Sequence, residues 1–193
     1  MSRTLYLGLR PKPGCVHYPV IKTIPLGNLE QALSLWSRFT HVIFTSQTAV
    51  LYWPGPWDKQ IIAIGQATAQ RLCEKGLDPL VAKEATQEGI MQQIQDIDGY
   101  FFLPQSRLAR PNLAEFLKSQ GKPFFSLDLY DTVYQKLEPV PDLNAFDEII
   151  FTSPSTVEGF CRIFQSLPTT KKLVAIGPIT ERALLSRKEH LHY

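Results

Sequence analysis

The chain has 193 residues, of which 44% are hydrophobic, enough for one large or two small globular domains with modest cores. Its 20 lysines and arginines exceed its 18 aspartates and glutamates by only two, which argues against bulk attraction to nucleic acid or to a membrane surface. Cys15, Cys73 and Cys161 show neither close pairing nor metal-ligand spacing, so we expect a cytoplasmic protein without a disulfide framework or a metal.

The first part of the chain alternates between short apolar runs and helical patterns. Residues 4–9 predict a strand that is too short, and too quickly broken by a proline-rich loop at 10–14, to be a secretory signal. No apolar stretch of the sequence reaches the roughly 20 residues of a membrane span. Residues 17–25 predict extended chain, because Pro19 and Pro25 oppose a helix. A helix at 29–38, a strand at 41–45, a helix at 48–53 and a strand at 60–64 follow.

The same alternation continues to the end of the sequence. Gly65 leads from the preceding strand into a helix that ends near Gly76. Next come a helix at 90–97 opened by residues 86–89, a strand at 100–103, a helix at 112–120 and a long extended segment at 124–134. Strands at 147–152 and 173–176 and a helix from residue 180 complete the series. Strands that alternate with helices predict an α/β fold with parallel sheets.

Two phrases occur twice in the same order. Residues 43–50, IFTSQTAV, return as residues 150–157, IFTSPSTV, and residues 62–69, IAIGQATA, return as residues 174–181, VAIGPITE. Each phrase is an apolar run that ends in hydroxyl residues, glycine or proline and then opens a helical pattern. This is typical of a buried parallel strand followed by a helix N-terminus. A repeat of this length predicts two related α/β domains rather than a solenoid.

Two extended segments define the expected domain organisation. Residues 21–25 and 127–134 predict paired hinge strands, and they enclose a central α/β domain at 26–126. Residues 1–20 and 135–193 then form a second, reduced α/β domain. In this second domain no helix follows the first strand, and no further strand and helix follow the second repeated phrase.

Together these residues resemble the uroporphyrinogen-III synthase family. The resemblance rests on the first strand running into Arg10 and Pro11, on YPVI at 18–21, on both repeated phrases, on TQEGI at 86–90 and on LYDTVY at 129–134. It implies a cyclising hydro-lyase of tetrapyrrole (heme) biosynthesis. Such an enzyme converts hydroxymethylbilane, a linear tetrapyrrole, to uroporphyrinogen III with loss of water and inversion of ring D, without a metal or an organic cofactor. The implied fold is two α/β domains joined by a two-stranded ladder.

The implied substrate is a polycarboxylate, although the chain has no strong positive field. We therefore expect directed hydrogen bonds from helix N-termini, whose first N–H groups have no partner within the helix. In an open α/β sheet these junctions lie at the carboxyl ends of the strands. The alternative role of the serines and threonines is helix capping alone. The candidate substrate-binding residues are Arg10, Thr45, Ser46, Gln66, Thr68, Thr86, Gln105, Ser106, Ser153, Pro154, Ser155, Gly177, Pro178 and Thr180.

The candidate catalytic residue is Tyr130. It matches the tyrosine on the interdomain segment of the family, and a phenol near the leaving hydroxyl can donate a proton to it. The alternative is a packing role, since an unperturbed tyrosine, with a pKa near 10, is a poor acid. Folding of the bilane so that ring D can react is a further source of catalysis.

Two other functions remain open from the sequence. One is a hinged two-domain protein that binds an anionic small molecule, and the other is an inactive, degenerate relative of the synthase. For the synthase we expect a monomer that binds a linear tetrapyrrole and makes transient contact with the upstream hydroxymethylbilane synthase. We expect no nucleic-acid or membrane partner.

Overall fold

The computed structural model describes residues 3–189, which belong to two compact units. The terminal unit is formed by parts of Met1–Lys22 and Thr132–Tyr193, and the central unit is Thr23–Asp131. The helices and strands in chain order are β1 (Thr4–Tyr6), β2 (Val16–His17), β3 (Ile21–Pro25), α1 (Glu30–Ser34), β4 (His41–Phe44), α2 (Gln47–Tyr52), β5 (Gln60–Ala63), α3 (Gln66–Cys73), β6 (Leu80–Val81), α4 (Gln87–Ile94), β7 (Phe101–Ser106), α5 (Asn112–Ser119), β8 (Phe124–Tyr134), β9 (Glu148–Phe151), α6 (Pro154–Phe164), β10 (Lys172–Ala175) and α7 (Pro178–Glu189). Short 3-10 helices lie at Trp36–Arg38 and Leu143–Ala145.

The central unit is built on a sheet of order β3-β8-β7-β4-β5-β6, in which β4 to β8 are parallel. The side chains of successive residues of β4 point to opposite faces of the sheet, as strand geometry requires. Val42 and Phe44 pack in one hydrophobic cluster with α2 and α3, whereas Ile43 packs in another with α4 and α5. Burial on both faces explains why this strand reads as a continuous apolar run.

The terminal unit is built on a parallel sheet of order β10-β9-β1-β2. Its core cluster joins Leu5 of β1 and Phe151 of β9 to Phe160 of α6 and Leu184 of α7. Both helices therefore pack on the same face of the sheet. The two parallel sheets and their helices confirm the predicted α/β fold class.

The chain passes from one unit to the other within β3 and again within β8. These two strands are neighbours in the central sheet. The N–H of Leu26 donates to the carbonyl of Leu129 at 2.9 Å, and the N–H of Gln135 donates to the carbonyl of Val20 at 3.0 Å. From the first of these hydrogen bonds to the second, the residue number on the β3 side falls from 26 to 20 while that on the β8 side rises from 129 to 135. The strands β3 and β8 therefore run antiparallel.

Three predicted elements differ from the observed ones. The helix expected at 29–38 is divided into α1 and a 3-10 turn, in which Trp36 stacks on Trp53 at 5.5 Å. The extended chain expected at 17–25 is also divided, because His17 pairs with Tyr6 in the terminal sheet while β3 pairs with β8. The strand expected to end at 103 continues to Ser106 because it pairs with β8 along its length. No helix within residues 3–189 is long and apolar enough to cross a membrane.

Candidate functional site

The parallel strands of the central unit end at one edge of its sheet, and the predicted site residues of this unit gather there. Ser46 is the N-cap of α2, where its hydroxyl accepts the N–H of Ala49 at 3.0 Å. Thr86 caps α4 in the same way and accepts the N–H of Gly89 at 3.0 Å. The residues that follow or end β4 to β7 at this edge are Thr45, Ser46, Gln66, Thr68, Thr86, Gln105 and Ser106.

Two of these placements need correction. Gln105 and Ser106 were expected at a strand-to-helix junction, but both are part of β7, and α5 begins only at Asn112. Thr68 lies in the first turn of α3 with only 4% of its surface exposed, so its side chain packs inside the unit. After β5, Gln66 is therefore the predicted residue that exposes its side chain.

Tyr130 reaches the same edge because of an irregularity in β8. Gln105 of β7 pairs with Asp128, but the next residue, Ser106, pairs with Tyr130, so Leu129 is an extra residue. Regular strand alternation would place Leu129 and Tyr130 on opposite faces. The bulge instead brings both into the same hydrophobic cluster, where each is buried. It thereby sets the phenol of Tyr130 beside Ser106.

The hydroxyl of Tyr130 lies among three other hydroxyls. It is 3.0 Å from the Oγ of Ser46, and the side chains of Ser106 and Thr48 are near enough to affect its pKa. Burial raises the pKa of Tyr130 above its ordinary value, while the hydrogen bonds to these three hydroxyls act in the opposite direction. The arrangement can donate a proton and can stabilise the phenolate that remains.

Sequence reasoning missed two members of this cluster, Thr48 and Tyr52. The ring of Tyr52 lies 5.8 Å from that of Tyr130, and its hydroxyl donates to the carbonyl of Thr23 at 3.0 Å. Both residues lie on α2 four positions apart, so they share one face of the helix. That spacing, combined with the N-cap at Ser46, was the available signal.

The arginines near this edge are paired with carboxylates. Arg107 contacts Asp131 at 3.2 Å and Asp128 at 3.9 Å, and Arg110 contacts Glu88 at 3.3 Å. The backbone N–H of Arg107 also donates to the carbonyl of Tyr130 at 2.9 Å. These cations are largely compensated in the free protein, which leaves neutral hydrogen-bond donors prominent at the edge.

The terminal unit presents a second edge of the same kind. Its strands are parallel, so their carboxyl ends gather the predicted residues Arg10, Ser153, Pro154, Ser155, Gly177, Pro178 and Thr180. Ser153 and Thr156 form a capping box, in which the Oγ1 of Thr156 accepts the N–H groups of Thr152 and Ser153. Thr180 is only 3% exposed and packs inside the unit, whereas Arg10, Gly177 and Pro178 are exposed.

No group of three or more His, Cys, Asp or Glu side chains within residues 3–189 is arranged to hold a metal ion.

The comparisons with known proteins agree on one family. The family model of uroporphyrinogen-III synthase HemD matches residues 14–189. A search of curated proteins gives no significant match. The solved uroporphyrinogen-III synthetase of Helicobacter pylori is similar in fold, with a TM-score of 0.73 and 17% identity over 97% of this chain and 90% of that chain.

Two structures of uroporphyrinogen III synthase from Thermus thermophilus are also similar. A mutant in one crystal form gives a TM-score of 0.67 and the wild type in another gives 0.56, each at 20% identity and over 97% of this chain. They cover 90% and 89% of those chains. The structural matches establish the fold, and the family model spans most of the sequence. The chain therefore belongs to the uroporphyrinogen-III synthase family, as its motifs predicted.

Proposed function

We propose that this protein is a uroporphyrinogen-III synthase, which cyclises hydroxymethylbilane to uroporphyrinogen III with loss of water and inversion of ring D. The observation that carries the proposal is the family match over residues 14–189. The similar fold and the buried phenol beside three hydroxyls support it.

We assign the first chemical step to Tyr130. The phenol donates its proton to the leaving hydroxyl of the bilane, which departs as water from an electron-rich pyrrole and leaves an azafulvene cation. Attack by the substituted carbon of ring D then gives a spiro intermediate, which fragments and closes again with ring D inverted. The hydroxyls around Tyr130 support this role because they can stabilise the phenolate.

A buried phenol is a weak acid, but the leaving group is a much stronger base. The pKa of Tyr130 lies above the ordinary tyrosine value of about 10 because the side chain is buried. A departing hydroxide is the conjugate base of water, which is a far weaker acid than a phenol. Proton transfer is therefore downhill once the carbon–oxygen bond has stretched, even from a phenol with a raised pKa.

We propose that the two edges hold the carboxylates of the substrate by hydrogen bonds. In the central unit the exposed or half-buried candidates are Thr45, Ser46, Gln66, Thr86, Gln105 and Ser106. In the terminal unit they are Arg10, Ser153, Pro154, Ser155, Gly177 and Pro178. Thr68 and Thr180 lie in the first turns of their helices. The N–H of Thr68 donates to the carbonyl of Gly65 at 3.1 Å, so the donors that we propose there are the N–H groups of the residues before it in the turn.

We further propose that the units act as two domains joined by the hinge strands β3 and β8. The chain passes between the units only within these strands, which supports a compliant joint. In this proposal the protein works as a monomer in the cytoplasm and receives its substrate from hydroxymethylbilane synthase by transient contact.

The test is the isomer ratio of uroporphyrin formed from freshly generated hydroxymethylbilane, after oxidation and chromatographic separation. Spontaneous closure gives the uninverted type I isomer, so reactions without protein and with heat-denatured protein set the background. We expect type III well above that background. Type I alone from folded protein would contradict the proposal and favour a binding protein or an inactive relative.

A further inference from the structure

The hydroxyl of Ser46 stands between a backbone donor and the Tyr130 phenol. Its Oγ accepts the N–H of Ala49 at 3.0 Å and lies 3.0 Å from the phenol oxygen. A serine hydroxyl has one hydrogen and two lone pairs. Because Ala49 occupies one lone pair, the hydrogen of Ser46 remains available for the phenol.

Ser106 repeats this arrangement on the other side. Its Oγ accepts the N–H of Leu108 at 3.1 Å, and its side chain is near enough to Tyr130 to lower the pKa of the phenol. In each serine a backbone N–H thus occupies one lone pair of the hydroxyl oxygen, and the hydroxyl hydrogen can be donated. Two hydroxyls that are both fixed in this way favour donation toward the phenol rather than acceptance from it.

The second phenol nearby does not compete for this position. Tyr52 donates its hydrogen to the carbonyl of Thr23 at 3.0 Å, and its oxygen also lies 3.0 Å from the hydroxyl of Thr23. Of these two phenols, Tyr130 is therefore the one whose oxygen lies beside a serine hydroxyl.

We propose that Ser46 is a positioning residue that acts through Tyr130. It donates its hydroxyl hydrogen to the phenol oxygen, so that the hydrogen of Tyr130 points away from Ser46 and toward the leaving hydroxyl of the substrate. This inference rests on the proposed function for its catalytic consequence, but the direction of the hydrogen bond is a property of the protein alone. The hydroxyl of Ser46 then has a role separate from contact with the substrate, for which Ser46 would use its backbone N–H.

The step balances in atoms and charge. The O–H bond of Tyr130 breaks, its proton bonds to the leaving hydroxyl oxygen, and the carbon–oxygen bond of the substrate breaks to release water. The phenolate is stabilised by the hydrogen from Ser46, whose oxygen is polarised in turn by the N–H of Ala49. Ring closure later releases one proton from carbon, which restores the phenol.

Three substitutions at Ser46 separate positioning from helix capping. Ser46→Thr keeps the acceptor and the donor. Ser46→Asp keeps an acceptor that caps a helix as well as serine does, but its carboxylate has no hydrogen to donate. Ser46→Ala removes both functions. Circular dichroism and thermal unfolding establish that each variant is folded before it is assayed.

The first readout needs no substrate. The ionisation of Tyr130 is followed by the ultraviolet absorbance of its phenolate, as the difference between each variant and the same variant carrying Tyr130→Phe. We expect the pKa of Tyr130 to rise in Ser46→Ala and to rise further in Ser46→Asp, while Ser46→Thr stays close to the parent protein. An unchanged or lowered pKa of Tyr130 in Ser46→Ala would overturn the proposal and leave Ser46 as a helix cap, because the aspartate carboxylate raises that pKa by its charge in any case.

The second readout is kcat for type III formation, measured separately from KM because an aspartate also repels a polyanionic substrate. We expect kcat to fall about tenfold in Ser46→Ala and at least as far in Ser46→Asp, with recovery in Ser46→Thr. Ser119→Ala is the control, because its exposed hydroxyl donates to the carbonyl of Phe116 in its own helix, and its kcat should match the parent value. A kcat in Ser46→Asp equal to that of the parent would also overturn the proposal.

The two readouts distinguish two kinds of failure. If the parent protein forms no type III isomer, the proposed function fails, yet the titration still determines whether Ser46 donates to Tyr130. If type III forms and the titration does not respond to Ser46, only the positioning role fails.

Discussion

Replacing Tyr130 by phenylalanine is the most direct perturbation of the site, because it removes one oxygen and leaves the ring in place. The ring is 7% exposed and packs against Tyr52 at 5.8 Å, and both features are retained by phenylalanine. Ser46 loses one partner but still holds the N–H of Ala49. We therefore expect the free energy of unfolding to change by only about 1 kcal/mol, the net value of one hydrogen bond.

The expected effect on catalysis is much larger than the effect on stability. General acid catalysis contributes roughly 100-fold or more to a rate, so Tyr130→Phe should lower kcat for type III formation by about 100-fold. This corresponds to about 2.7 kcal/mol of lost transition-state stabilisation, because each factor of ten is about 1.36 kcal/mol. KM should change little, since the carboxylates are held by other groups in the proposed site.

The assay measures initial rates of type III formation at several substrate concentrations, beside thermal unfolding of the same preparation. A kcat within about threefold of the parent value, in a variant of unchanged stability, would refute the assignment of Tyr130 as the proton donor. Catalysis would then rest on folding of the bilane alone. A fall in kcat together with a large loss of stability would instead contradict the expectation that phenylalanine preserves the packing of the ring.

Three further predictions concern the stability of the two units. Gly89→Ala should destabilise the protein by about 2 kcal/mol or more in urea unfolding, although alanine favours helices, because its Cβ would lie 2.3 Å from the carbonyl oxygen of Glu84. Gly27→Ala, where nothing lies within 4 Å, is its control and should have little effect. Thr156→Val should cost about 2 kcal/mol, because it leaves two partly buried N–H groups without their acceptor, whereas Thr156→Ser should cost less. Burial lowers the pKa of His41, so the unfolded state binds more protons below about pH 6.5 and stability should fall from pH 7 to pH 5. His41→Phe should flatten that pH dependence in thermal unfolding, and an equally steep curve would exclude His41 as its source.

The fold was largely predictable because the strands of the first repeated phrase, β4 and β9, are buried on both faces of their sheets. A strand of this kind carries an uninterrupted apolar run, and the serine or glycine that follows it marks the start of a helix. The structure confirms strands at β4 and β9 and helix caps at Ser46 and Ser153. Local sequence determines these features, so one chain is enough to find them.

The geometry around Tyr130 was not predictable in the same way. The bulge that faces Tyr130 toward Ser106 depends on pairing between β7 and β8, which no residue of either strand specifies alone. The hydrogen bond between Ser46 and Tyr130 joins residues 84 positions apart. The sequence marked both residues as candidates, but only tertiary pairing shows that they touch.

The two copies of the repeat differ in how closely the strand and the glycine of the second phrase are packed. In the central unit β5 pairs with β6, and a Cβ at Gly65 would lie 2.8 Å from the Cβ of Ala85 in the loop that follows. In the terminal unit β10 has β9 as its one neighbour among the described strands, and a Cβ at Gly177 would meet nothing within 4 Å. Proton donation requires a phenol held to within a fraction of an ångström, whereas carboxylate binding tolerates adjustment. The better supported copy is the one that holds Ser46 beside Tyr130, which is where the proposed chemistry demands rigidity.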